Sequence, residues 1–138
     1  MTVTESGYNL DEHDVLDLRA RPIVDGLKTG IGSSIYTFLH AVVKVRMDQE
    51  SGAVTFLCCD NLRDNGGKLK AGLLQYLQAS GDQASKDWVQ THVTFPCCMV
   101  DRITPVTKPE QIDILKQEYG VEDGWPVVAE PFLQWVVE

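Results

Sequence analysis

Residues 53–66, AVTFLCCDNLRDNG, constrain the fold more than any other stretch of the chain. An apolar run of Ala53, Val54, Phe56, Leu57, Cys58 and Cys59 ends abruptly in Asp60 and Asn61. A short run rich in β-branched and aromatic residues, bounded by polar and turn-forming ones, reads as a buried strand. A turn follows, and Gly66 and Gly67 open a helical pattern with Leu69, Leu73, Leu74, Tyr76 and Leu77 on one side. Strand, polar tip, helix is the unit of an open α/β sheet, in which ligands sit beyond the carboxyl ends of the strands. Asp60 and Asn61 stand at that place.

The rest of the chain repeats the arrangement. TVTESGY reads as the tail of a strand, broken by Glu5, Ser6 and Gly7. Residues 97–100, CCMV, form a second apolar run tipped by Asp101 and Arg102. Between these lie helical patterns. The acidic stretch 9–27 predicts one short helical turn stopped by Pro22. Ser33 or Ser34 is placed to cap a helix whose stripe is Ile35, Phe38, Leu39, Val42 and Val43. ASKDWVQTHV turns Trp88 inward, and KPEQIDILKQEYG carries Pro109 in its first turn and Gly120 at its stop. The tail, PVVAEPFLQWVVE, reads as two short strands joined at Glu130-Pro131. The alternation predicts an α/β fold, a mostly parallel sheet with flanking helices. Parallel neighbours would bring Glu5, Asp60-Asn61 and Asp101 to one edge. For Asp60 and Asp101, capping of a helix or turn is the equal alternative.

Composition removes whole classes of function. A net charge of −8 with no Lys/Arg cluster argues against nucleic acid and anionic membranes. No apolar run approaches the roughly 20 residues of a membrane span, and Met1 leads straight into polar sequence, so a cytoplasmic protein is expected. The four cysteines form the adjacent pairs Cys58-Cys59 and Cys97-Cys98, not CxxC spacings, and read as buried strand thiols with no metal site. Gly30-Ile31-Gly32 resembles the start of a dinucleotide-binding turn. No apolar strand precedes it and Ile35 takes the third glycine position, so a packing helix is the better reading.

TVTESGY, CDNLRDNG, FPCCMVDRITP and WPVVAEPFLQWV, in this order and at these intervals, resemble the polyol-specific long-chain dehydrogenases, the mannitol 2-dehydrogenase and fructuronate reductase group. The resemblance covers nearly all of the 138 residues. It implies a single domain over 1–138, the later part of an N-terminal Rossmann-type domain that binds NAD or NADP. It further implies metal-free hydride transfer between a polyol or sugar acid and its ketose. By motif, Asn61 matches an asparagine that hydrogen-bonds the reacting oxygen, and Asp101 an aspartate near the nicotinamide. Thr4 and Glu5 match a strand end close to the cofactor, with Asp60 beside them.

An amide donor such as Asn61 can hold the negative charge that develops on an alcohol oxygen as its proton leaves. A carboxylate such as Asp101 can orient a ribose hydroxyl or a nearby lysine. The family's glycine-rich phosphate loop and its catalytic Lys/Asn/His signature find no counterpart in this sequence. A segment inactive on its own is therefore expected. The alternative is a non-enzymatic product that associates with itself or a partner through an exposed sheet edge.

Overall fold

Two strands lie at the centre of the larger unit of the chain. β1, Val54–Thr55, runs parallel to β2, Val93–Thr94, with Val54 opposite Val93 and Thr55 opposite Thr94. The backbone contacts continue beyond these pairs. The Phe56 N–H donates to the Thr94 carbonyl, and Val100 N–H to that of Asp60, at 2.9 and 3.4 Å. On the other side, Met1 N donates to Leu57 O at 2.8 Å and Cys59 N to Met1 O at 2.7 Å, the slanted pattern of a parallel ladder. Three chain segments thus run side by side with their carboxyl ends together. The computed structural model describes residues 1–100 and 102–138. It divides into one unit of Met1–Val100 with Val136–Glu138 and another of Asp101–Trp135.

Helices pack around this strip. α1 spans Arg21–Thr29, α2 Ile35–Asp48, α3 Asn65–Ser80 and α4 Gln83–His92. The sequence predicts that Pro22 stops a helix, and the structure shows the opposite. Pro22 lies in the first turn of α1, where its missing N–H costs nothing and its fixed φ favours the helix. α2 begins as expected at Ser34, whose side chain accepts the Thr37 N–H at 3.1 Å. Its buried face is Tyr36, Leu39 and Val43, flanked by Ile35 and Val42. Phe38, expected in that stripe, is 60% exposed. Two residues beyond Tyr36 is about 200° around the helix, which turns Phe38 away from the core.

α3 buries Leu69, Leu73, Tyr76 and Leu77 completely or nearly so, and each such leucine contributes about 1.5–3 kcal/mol over an exposed one. Gly72 lets α2 approach, since a Cβ there would stand 2.1 Å from the Tyr36 hydroxyl. Tyr36 in turn donates to the Tyr8 carbonyl at 2.7 Å, and Phe56 meets Phe95 edge-on at 5.8 Å. β3, Cys98–Val100, pairs with β4, Trp135–Val137, and the Glu138 N–H donates to the Cys97 carbonyl at 2.9 Å. Cys58 and Cys98 are buried and Cys59 and Cys97 half-buried, all as free thiols.

In the smaller unit, α5 spans Pro109–Tyr119. It has Pro109 in its first turn and a left-handed Gly120 at its end, as the sequence predicts. Residues 126–130 form no strand, against expectation. Glu130 is instead hooked onto the start of the unit. Its carboxylate accepts the Ile103 N–H at 3.1 Å and its carbonyl accepts Arg102 Nε at 2.8 Å. Those bonds satisfy polar groups that a strand ladder would otherwise have to pair. Among the described residues no helix is long and apolar enough to cross a membrane.

Candidate functional site

The carboxyl end of the central segment is closed by a local turn. Asp60 Oδ1 accepts the Leu62 N–H at 2.9 Å, so the residues on either side of Asn61 are tied together and Asn61 is left exposed at the apex. Of the two sequence readings of Asp60, ligand group or turn cap, this geometry has the form of the second. The Asp60 carboxylate also accepts Asn65 Nδ2 at 3.0 Å and the Tyr8 hydroxyl at 2.5 Å.

Asn65 is fully buried at the first residue of α3. Besides Asp60, it donates to the Cys98 carbonyl at 2.6 Å and accepts the Cys98 N–H at 3.0 Å. It joins the tips of two neighbouring strand segments through one side chain. Gly66 beside it is required by space, because a Cβ would lie 2.4 Å from the Phe95 carbonyl. Sequence pattern singles out neither Asn65 nor Tyr8. Each looks like an ordinary turn or strand residue, and only its burial and bonding partners show otherwise.

Thr4 and Glu5 follow the Met1–Val3 segment into a 3₁₀ turn, Glu5–Tyr8. Both are exposed but open onto different hollows. Thr4 faces one lined by Gly7, Ser33, Ser34 and Phe38, of about 380 Å³. Glu5 faces a smaller one of about 260 Å³ with Asp14, Leu62 and Lys68, where Lys68 pairs with Asp14. Tyr8 links the turn carrying Glu5 to Asp60 and hence to Asn61. Asp101, expected at the neighbouring strand end, lies outside the described residues.

Electrostatics fix the roles of the buried groups. Burial, and then donation to Asp60, holds the Tyr8 phenol far above its ordinary value, so it remains a donor throughout the neutral range. Burial likewise pushes the Cys58 thiol up, which keeps it unreactive. Away from this edge, His40 on α2 meets Asp82, the N-cap of α4, at 2.8 Å. Asp82 also accepts the Ser85 N–H and hydroxyl. His40 first, and the Ser85 backbone next, lower the Asp82 carboxyl to about 2.

The fit of a dinucleotide can be tested on these groups. Thr4, Glu5 and Asn61 are exposed beyond the carboxyl ends of the parallel segments, the side on which ligands bind in open α/β sheets. The pyrophosphate half lacks an equivalent among the described residues. Gly30 is the left-handed stop of α1, and a Cβ on Gly32 would stand 3.2 Å from Gly26 Cα. Both glycines serve the joint between α1 and α2, in keeping with a packing helix rather than a phosphate turn.

A family model, the mannitol dehydrogenase Rossmann domain, matches residues 1–138. The D-arabinitol 4-dehydrogenase of Ralstonia nicotianae is 41% identical over 137 residues, which cover 99% of this chain and 29% of that protein. The D-mannonate oxidoreductase of Escherichia coli K12 is 36% identical over 140 residues, covering 100% of this chain and 29% of its own length. Among solved structures, D-sorbitol dehydrogenase in substrate-free form superposes with a TM-score of 0.83 at 37% identity, covering 99% of this chain and 28% of that one. Pseudomonas fluorescens mannitol 2-dehydrogenase, in a ternary complex with NAD and D-mannitol, gives 0.84 at 35% identity, with coverage of 99% and 28%. The chain spans about 29% of the length of these curated relatives. Its fold and its sequence agree: these residues belong to the mannitol dehydrogenase family and correspond to its Rossmann domain.

Proposed function

We propose that this chain is one functional piece, the later part of the Rossmann-type domain of an NAD- or NADP-dependent oxidoreductase. The complete protein would interconvert a polyol or sugar acid and its ketose in the cytoplasm. The observation that carries the reading is Asn61, exposed at the apex of a turn whose flanking Asp60 carboxylate accepts three hydrogen bonds. A bound nicotinamide dinucleotide supplies the hydride acceptor. As the hydroxyl proton passes to the catalytic lysine that the family resemblance implies, negative charge builds on the substrate oxygen, and it drains into the forming carbonyl as hydride leaves the carbinol carbon for the dinucleotide. The Asn61 amide N–H is suited to hold that charge in a fixed direction. Thr4 and Glu5 line the cofactor end of the strand tips, with Asp60 behind them. Asp101 enters on its place in MVDRI alone.

A hybrid tests this. The chain replaces the matching 137 residues of the Ralstonia arabinitol dehydrogenase, and reduction of NAD or NADP by arabinitol, mannitol or a sugar acid is followed. Turnover is expected, and Asn61→Ala should lower kcat by about a hundredfold. A folded hybrid without turnover, or an Asn61→Ala variant as active as its parent, overturns the reading. The 138-residue chain alone should show no turnover.

A second reading, association with another copy or a partner, is supported by Val106, Trp125 and Leu133. They are 91%, 88% and 84% exposed. Sedimentation decides it, and a monomer across the micromolar range counts against it.

A further inference from the structure

Two buried polar side chains at the strand tips have no part in the reaction as described above. Tyr8 is 1% exposed and gives its hydroxyl to a carboxylate adjoining Asn61. Asn65 is 0% exposed and spends every polar atom on Asp60 and Cys98. Resting on the role assigned to Asn61, we propose that Tyr8 and Asn65 are positioning residues. They lock the Asp60 turn and so set the direction in which Asn61 presents its amide to the reacting oxygen.

The geometry supports such a lock in three ways. The Asp60 carboxylate uses one oxygen to close the turn over Asn61 through Leu62 N–H, and that same oxygen is shared with Asn65. Its other oxygen is taken by Tyr8. With both oxygens engaged, rotation of the carboxylate breaks bonds on either side, and the peptides flanking Asn61 move with it. Asn65 adds a second constraint, holding the Asp60 carbonyl at 3.2 Å and Cys98 at both backbone atoms. A buried polar group that loses its partner keeps its full desolvation cost, so each member favours the arrangement in which all are paired.

The Tyr8 ring does not depend on this bond for its place. Tyr36 donates to the Tyr8 carbonyl, and Tyr8 belongs to the apolar core. Tyr8→Phe therefore removes one hydroxyl and keeps the packing, which separates positioning from folding. Asn65→Ala is the harsher variant, because it strands the Cys98 N–H in the interior.

In the 138-residue chain, Tyr8→Phe should speed amide exchange at Leu62 about tenfold more than at the core amides of α3. In the arabinitol dehydrogenase hybrid, it should lower kcat about tenfold while KM for polyol and cofactor stays within about twofold. Unchanged exchange at Leu62 overturns the proposal, as does a kcat loss that only tracks a lower melting temperature. If Asn61→Ala cripples the hybrid and Tyr8→Phe leaves kcat intact, this inference alone fails. If Asn61→Ala is harmless, both readings fail, since an idle amide leaves nothing to position.

Discussion

The two units of the chain are stabilised by different means. In Met1–Val100 with Val136–Glu138, twelve large side chains from Tyr8 to Val89 have under 2% exposure and form one interlocked core. In Asp101–Trp135, α5 buries none of its residues, and Trp125 and Val106 stand almost fully in solvent. That unit is held by polar ties: Glu130 to Arg102 and Ile103, Thr107 to the Pro126 carbonyl at 2.6 Å, and Lys116 to Glu122 at 2.6 Å. Exposed ion pairs and loop hydrogen bonds contribute little each, and apolar burial contributes most. Local stability should therefore be concentrated in the first unit.

Substitutions can sharpen or break this contrast. The largest effect is expected at Leu73, at 0% exposure in the middle of α3. Leu73→Ala should cost about 2–5 kcal/mol in denaturant unfolding, through lost burial plus the cavity left behind. A loss below about 1 kcal/mol would mean that the core relaxes far more than its packing suggests.

Next in size is the tie between α2 and α4. Asp82→Asn keeps a competent cap but removes the charge facing His40, whose side chain is 17% exposed against 25% for Asp82. About 1 kcal/mol should be lost at pH 7. The folded carboxyl, near 2, lies below its ordinary value of 3.8. Its contribution is complete above the unfolded value and fades as pH falls toward the folded one. The gap between parent and variant should hence narrow from pH 4 to pH 2, and a gap independent of pH would refute the coupling. The smallest effect is expected at Trp125, 88% exposed. Trp125→Ala should change stability by less than about 0.5 kcal/mol, and a larger loss would reveal a buried role for the smaller unit's aromatic surface.

Much of the fold is legible in local pattern. The place of the short strand Val54–Thr55, the helices opened by Ser34 and Gly66, and the Pro109 and Gly120 bounds of α5 follow from periodicity and capping alone, whereas the strand expected to run on to Cys59 is regular only at its start. Where sequence misleads, long-range packing decides. Phe38 has the right residue type for the core but lies about 200° from Tyr36, and only the position of α3 defines which face of α2 is inward. Pro22 can end a helix or begin one, and the residues after it settle which. At the candidate site, the strand tip with Asp60 and Asn61 is visible because a polar pair after an apolar run is conspicuous. Tyr8 and Asn65 are invisible there, since their roles rest on contacts 52 and 33 residues away.

The buried lock at Asn65 also bears on how this chain ages. An asparagine followed by glycine, as at Asn65-Gly66, is the pair most prone to lose ammonia through a cyclic imide. That reaction needs the next backbone nitrogen to swing onto the side-chain carbon. Helical backbone at Gly66 and an amide engaged on both its atoms withhold that movement. Conversion of Asn65 to isoaspartate and aspartate would thus accumulate in molecules whose first turn of α3 has come undone. Peptide mapping of stored protein would read the history of that opening as a chemical scar.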